Sequence, residues 1–386
     1  MLKHLILIFL LIPISLLAQQ RVSGVILDKE TSKPLEFVDI YNKETNTSSN
    51  VEGRFEFSTK DSVVNFNLLG YEKKMFPVDQ IKGDTIFLTN KFLELDEINI
   101  SDLDHPIKAV FKQIVVNYPL EPYSESFFMR CVLKKNDKII KLQDINGLVE
   151  RQTLFSTSKS PMPKNNYNVE VENIRKAGIK EKDIYFEMFS FEEFFKAITS
   201  LYMSPKLYDY KMKPSKDGQF IKYYFSPKQN NELASKGFYI VNSDDNAFNE
   251  YYLLNEEKKK VYQERGDIKY RTYFYELSVR FKKDEKSTKY FLDIAKLTAK
   301  VEVIDEENKS IFYNAEYQWI AQNQSDFKVD NNTSMSKDLF RLDKDYVPEF
   351  WQNQSELLLT EEMKKFVNGL ENIDQNEYKI ISNIKG

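Results

Sequence analysis

Short segments of alternating apolar and polar residues follow one another between residues 21 and 90. They include residues 22–27, 35–41 and 63–69, with polar turns between them. Side chains of a strand point alternately to opposite faces, so this period of two is typical of half-buried β-strands. The 29 Phe and 23 Tyr residues of the chain also favour strands. Short strands with a turn signal about every 8–12 residues predict a β-sandwich over residues 21–90.

Four motifs of this region carry a family resemblance through their order. They are residues 22–28 (VSGVILD), 34–41 (PLEFVDIY), 50–55 (NVEGRF) and 69–72 (LGYE). Together they resemble a carboxypeptidase regulatory-like domain, the transthyretin-like sandwich found at the start of many Gram-negative envelope proteins. The resemblance is to the accessory domain of carboxypeptidases and not to their zinc-binding catalytic domain, so it implies no peptidase activity. Gly53 suits a turn because glycine tolerates positive φ.

Residues 91–105 are interpreted as a linker. Within them, residues 93–100 are expected to form the last strand of the sandwich and a short connector, because connections between elements are usually short. The alternative is that they lead into the next part of the protein, as a similar Leu-Asp-Glu stretch does in other envelope proteins with this sandwich.

Residues 106–376 are predicted to form a second, β-rich domain with a few helices. Asp104 can cap a helix over residues 106–118, in which apolar residues recur at helical spacing. Two further apolar stripes predict helices over residues 191–202 and 361–370.

Segments rich in aromatic and β-branched residues predict antiparallel strands between these helices. A turn at residues 135–137 joins a strand over 124–134 to a strand over 138–151, and residues 305–308 form a second hairpin tip. The other predicted strands cover residues 220–226, 237–241, 247–255, 270–282, 290–296, 299–304 and 311–319. The fold class is therefore mainly β, with a sandwich followed by an α+β domain built on a curved antiparallel sheet.

Residues 237–242, followed by Ala247 and Phe248, weakly resemble the strand-turn-strand unit of LolA-type half-barrels. In that family a curved antiparallel sheet wraps a helix, which implies an interior that can hold lipid or peptide. Small sheets are normally packed solid, so a filled core is the expectation.

Residues 1–18 are typical of a cleavable secretion signal. Lys3 gives a basic start, residues 5–17 are an apolar run, and Ala18 supplies a small residue before polar ones. The run is shorter than the roughly 20 residues that a membrane-spanning helix needs. The only cysteine is Cys131, so no lipoprotein cleavage site is expected. We expect an exported protein of the periplasm or outer membrane, with peripheral membrane association as a possibility.

The residue types that carry most catalytic and metal chemistry are scarce. Cys131 follows an apolar run and is interpreted as a buried structural thiol. His105 is the only histidine after the signal, and its place at a helix start favours a structural role. Residues 243–246 (SDDN) lack the spacing of an EF-hand loop and are interpreted as a turn, and Trp351 as an anchor for the C-terminal helix. No catalytic, cofactor-binding or metal residue is assigned, and no cofactor is expected.

The balance of charge gives no reason to expect nucleic acid as a partner, since 30% of residues are charged and the net charge is −4. The sequence predicts a non-enzymatic envelope protein that binds a protein, glycan or lipid partner through its C-terminal β-rich domain. Two alternatives remain. A carboxylate-dependent hydrolase needs an open cleft with two acids, and a LolA-like lipid carrier needs an empty apolar cavity.

Overall fold

The structure is a computed structural model. It describes residues 20–43, 45–92, 98–100, 106–156, 161–180, 186–201, 204–228, 235–257, 259–325, 328–370 and 379–384. Strands account for 52% and helices for 14%, which confirms the mainly β class. Two compact units are present. The first comprises the described residues up to Asn90 together with Ser355–Thr360, and the second comprises Lys91–Gln354 with residues from Glu361 onward.

The first unit contains seven strands in two sheets. They are β1 (Gln20–Asp28), β2 (Asp39–Tyr41), β3 (Asn46–Ser48), β4 (Arg54–Thr59), β5 (Val63–Asn67), β6 (Lys74–Pro77) and β7 (Lys82–Leu88). One sheet has the order β4-β1-β7, in which β1 and β7 run parallel, and the other has the antiparallel order β3-β2-β5-β6. A 3-10 turn, Val78–Gln80, lies between β6 and β7.

Both sheets contribute to one apolar core, which is the arrangement of a sandwich. Ile26 and Phe55 come from the first sheet, and Ile40 and Phe66 come from the second. The Phe55 and Phe66 rings meet edge to face with their centroids 5.5 Å apart. Gly53 has φ of 71° in the turn before β4, so the predicted role of this glycine is confirmed.

The second unit is built on a 13-stranded sheet in which every pairing is antiparallel. Its strands are β8 (Ile98–Ile100), β9 (Tyr123–Lys135), β10 (Lys138–Arg151), β11 (Tyr167–Lys180), β12 (Tyr208–Pro214), β13 (Phe220–Pro227), β14 (Ser235–Asn242), β15 (Phe248–Glu256), β16 (Gln263–Arg265), β17 (Ile268–Lys283), β18 (Tyr290–Ile304), β19 (Ser310–Ser325) and β20 (Lys379–Ser382). The order is β20-β11-β10-β9-β19-β18-β17-β15-β14-β13-β12-β8, and β16 pairs with β17.

Four helices accompany this sheet in the described residues: α1 (Pro106–Asn117), α2 (Phe191–Thr199), α3 (Pro348–Asn353) and α4 (Glu361–Gly369). A second 3-10 turn covers Leu339–Arg341. Helix α2 buries Phe191, Phe194, Phe195 and Ile198, as its apolar stripe indicates. None of the described helices combines the length and apolar character required to cross a membrane.

The hairpin predicted at residues 135–137 is present between β9 and β10. Asn136 and Asp137 have φ of 47° and 65°, the positive values of a tight hairpin turn that matches the twist of its strands. The structure differs from the sequence prediction at several places. Residues 290–304 form the single strand β18 rather than two strands, and Ile98–Ile100, within the predicted linker, pair with β12 as strand β8.

Four strands of the second unit are absent from the sequence prediction, β11, β12, β16 and β20, and the longest are β11 and β12. Charged residues interrupt the apolar pattern of both, because each strand presents one face to polar surroundings. The sequence predicts two strands in place of β18 for a related reason, because Asp293, Lys296 and Thr298 lie among its apolar residues.

Gly237 on β14 offers a test of this packing. A Cβ built there would collide with the carbonyl oxygen of Tyr252 and lie 2.8 Å from the Phe225 ring. We expect Gly237→Ala to lower the free energy of unfolding by about 1–3 kcal/mol, as overpacking does. Urea unfolding followed by circular dichroism measures it. Gly369→Ala, where nothing lies within 4 Å of the added carbon, is the matched control, and equal stability losses for the two variants would contradict the packing.

Candidate binding groove

An open groove of about 670 Å³ lies in the second unit. Its floor is one end of strands β17 and β18, and its wall is the segment that leads into helix α2. The lining residues are Phe186, Glu187, Met188, Phe189, Glu193, Arg265, Ile268, Tyr270, Thr272, Val301, Val303, Ser336 and Asp338. Its volume is within the range of about 300–1,000 Å³ that is usual for ligand sites.

Backbone hydrogen bonds hold the wall of the groove in place. The Phe189 N–H donates to the Tyr317 hydroxyl at 2.7 Å, and the Met188 N–H donates to the Asp338 carboxylate at 3.0 Å. The Phe189 carbonyl accepts from the N–H of Leu339 at 3.1 Å. Each anchor joins residues far apart in the chain, so the groove depends on tertiary structure.

Helix α2 begins at the groove with a capping box. The Ser190 hydroxyl oxygen accepts the N–H of Glu193, and the Glu193 carboxylate accepts the N–H of Ser190 at 2.8 Å. This reciprocal pair satisfies backbone donors at the helix start. The box places the Glu193 carboxylate at the groove, and it follows the sequence pattern Ser-x-x-Glu that marks helix starts.

Two aromatic rings of the wall stack on tyrosines of the sheet. Phe186 lies 5.5 Å from Tyr313 and Phe189 lies 5.1 Å from Tyr317, both with nearly parallel planes. Burial raises the pKa of Tyr317 well above its ordinary value, so its hydroxyl stays protonated. Both phenylalanines are half-buried, which leaves part of each ring accessible from the groove.

The charges of the lining are mostly negative. Among the described lining residues, the acidic side chains are those of Glu187, Glu193 and Asp338, and the one cationic side chain is that of Arg265. Glu187 pairs with Arg341 across 2.9 Å at the surface. Burial lowers the pKa of Lys141, which lies close enough to Asp338 to feel its opposing charge.

A buried ion pair sets the position of helix α2 on the sheet. The guanidinium of Arg151 donates two hydrogen bonds, of 3.0 and 2.9 Å, to one oxygen of Glu125, and neither side chain is exposed. The guanidinium carbon also lies 4.5 Å from the ring centre of Phe195 on α2 and 5.6 Å from that of Trp319. Burial raises the pKa of Glu125, and the facing Arg151 opposes that shift.

The residues considered from sequence lie elsewhere. Cys131 is buried in β9, and burial raises the pKa of its thiol, as expected for a structural cysteine. Residues 243–246 form a turn in which Asn246 has φ of 56°, and the described residues contain no cluster able to hold a metal ion. Trp351 is buried beside the guanidinium of Arg175. His105 and residues 1–18 lie outside the described residues.

The groove has no signature in the sequence pattern, because its lining comes from four separate segments: residues 186–193, 265–272, 301–303 and 336–338. The one local signal was the capping box, which identifies a helix start but not a neighbouring hollow.

Comparison with known proteins identifies the first unit. The CarboxypepD_reg-like domain family matches residues 22–100. This match supports a carboxypeptidase regulatory-like domain, and most of the matched range lies in the first unit. The resemblance of the second unit to LolA-type half-barrels is not confirmed. No curated protein matches the chain in sequence.

Among solved structures, the chain is similar to one described as "lipid-protein interactions in lipovitellin". The identity is 10%, the TM-score is 0.23, and the match covers 57% of this chain. It spans only 27% of that chain. A likeness this slight supports no inference about fold or function.

The buried pair of Arg151 and Glu125 leads to a prediction about the stability of the fold. Glu125→Ala leaves Arg151 buried without its carboxylate, so we expect the free energy of unfolding to fall by about 3–5 kcal/mol. The double change Glu125→Leu with Arg151→Met should cost clearly less, because no charge then remains buried. Urea denaturation of the variants measures both. Glu307→Ala, in an exposed pair with Lys309, is the control and should leave stability unchanged; a single variant as stable as this control would contradict the role of the pair.

Proposed function

We propose that this protein is a non-enzymatic, exported envelope protein that binds a partner in the groove of its second unit. The groove carries the proposal, because it combines an apolar floor, half-buried aromatic rings and several convergent polar groups. That combination is the usual character of a binding site. The regulatory-like domain is consistent with an accessory, non-catalytic role for the first unit.

The bonding of the groove carboxylates favours binding over hydrolysis. Glu193 is engaged in the capping box, and both oxygens of Asp338 accept backbone N–H groups, those of Phe340 and Met188. A carboxylate committed to backbone donors is fixed in place, which suits ligand positioning. A glycosidase instead requires one carboxylic acid that protonates the leaving oxygen and a second carboxylate on the other side of the scissile bond.

Export is the first testable part of the proposal. The chain with a C-terminal tag, expressed in a Gram-negative host, should be recovered from the periplasm or outer membrane. Its mass should show the loss of about 18 residues, since signal peptides are removed. Deletion of residues 2–18 should retain the protein in the cytoplasm. Full-length protein in the cytoplasmic fraction would contradict export.

Ligand binding by the groove is the second testable part. Thr272 is exposed on the groove floor, so Thr272→Trp should fill the groove without disturbing the core. The purified protein is probed with a displayed random heptapeptide library, a glycan array and native mass spectrometry for bound lipid. We expect one class to bind and Thr272→Trp to weaken it about tenfold or more, a loss of about 1.4 kcal/mol.

The matched control is Thr85→Trp, because Thr85 is also an exposed threonine on a strand but belongs to the first unit. It should bind as the unchanged protein does. A binding function of the groove would be contradicted if none of the three probes detected a ligand, or if the two variants bound equally well.

A further inference from the structure

The chemistry of the groove selects among the three classes of partner. We propose that its ligand is an extended peptide segment carrying a lysine or arginine beside apolar side chains, an inference that rests on the binding function proposed above. Three features of the lining support it: two carboxylates that form no ion pair among the described residues, aromatic faces, and a partly apolar floor.

The carboxylates attract a cation. Glu193 and Asp338 accept hydrogen bonds from backbone N–H groups or from Ser190, and neither forms an ion pair within the described part of the chain. An ionised carboxylate has about four acceptor positions. Both carboxylates therefore keep acceptor positions at which the N–H groups of a lysine or arginine side chain can donate hydrogen bonds.

The aromatic rings favour the same charge. Phe186 and Phe189 are each backed by a tyrosine of the sheet, so their orientation is fixed while part of each ring stays accessible. The face of an aromatic ring attracts ammonium and guanidinium groups. The ring and the carboxylates thus select a cation, which neither a neutral glycan nor an anionic lipid headgroup supplies.

The floor accounts for the apolar part of the ligand. The half-buried side chains of Ile268 and Tyr270 offer apolar surface beside the charged rim, and the buried Val301 and Val303 lie at the base of the floor. The methylene stems of lysine and arginine bury against such surface while their charged ends remain at a polar edge. A peptide that alternates basic and apolar residues satisfies floor and rim together.

Arg265 allows a test of whether the groove prefers positively charged peptides. It is exposed, and it is the one cationic side chain among the described lining residues. Arg265→Glu should tighten binding of a basic peptide. Glu193→Gln should weaken it while keeping an acceptor oxygen for the Ser190 N–H, since glutamine is accepted in a capping box. Glu307→Gln, at an exposed hairpin tip of the same unit, is the charge-matched control.

The probe is a fluorescein-labelled hexapeptide of alternating lysine and leucine, titrated with the full purified protein and followed by anisotropy. We expect Arg265→Glu to strengthen binding about two- to fivefold and Glu193→Gln to weaken it by a similar factor. Binding should also weaken as salt is raised. The same peptide with glutamate for lysine should bind at least about tenfold less tightly, a difference of about 1.4 kcal/mol.

The possible outcomes distinguish a failure of the basic-peptide assignment from a failure of the proposed binding function. Tighter binding of the glutamate peptide, or weaker binding by Arg265→Glu, would overturn the basic-peptide assignment. So would binding of maltohexaose or of phosphatidylglycerol vesicles that Thr272→Trp abolishes while the lysine peptide stays unbound, although the groove would then still be a binding site. Unchanged urea midpoints of the variants show that any loss of binding is not a loss of fold.

Discussion

The buried pair of Arg151 and Glu125 is the interaction on which the geometry of the second unit depends. Withdrawing two charges from water is costly, and it is offset only where geometry and further contacts are good. Here two hydrogen bonds reach one oxygen of Glu125, and the rings of Phe195 and Trp319 lie beside the guanidinium. The other Glu125 oxygen and one terminal nitrogen of Arg151 are buried without a hydrogen-bond partner, so the cost of desolvation is only partly offset. Because these partners lie on β9, β10, β19 and α2, the pair fixes how the helix sits on the sheet. The groove wall precedes that helix directly.

A second charged network occupies the opposite face of the same strands. Asp144 pairs with Arg130 at 2.8 Å and also with Arg175, and Arg175 lies 4.9 Å from the ring of Trp351 on α3. Burial raises the pKa of Asp144, but the two arginines outweigh it and the pKa is lowered. A carboxyl with a lowered folded pKa stabilises the fold above its unfolded pKa, and that stabilisation is lost as pH falls through the folded value. Charged pairs therefore attach helices to both faces.

The features that the sequence predicted are those decided by residues close together in the chain. The hairpin at Asn136 and Asp137 and the turn at Gly53 were predicted because local backbone conformation decides them. The strand expected within residues 93–100 was assigned to the sandwich, but Ile98–Ile100 pair with β12 of the second unit, more than a hundred positions away. The groove belongs to the same category, since its wall is anchored to Tyr317 and Asp338. Periodicity identifies elements, but it does not tell which elements meet.

The position of the groove follows from a mismatch in length. Helix α2 has nine residues and is about 14 Å long at 1.5 Å per residue. Strands β17 and β18 have 16 and 15 residues and extend about 50 Å at roughly 3.3 Å per residue. One short helix cannot cover the inner face of such strands, so the end that carries Ile268 and Val301 must be covered otherwise. The chain supplies residues 186–189 and 336–338 there, and an open groove of about 670 Å³ remains beside them.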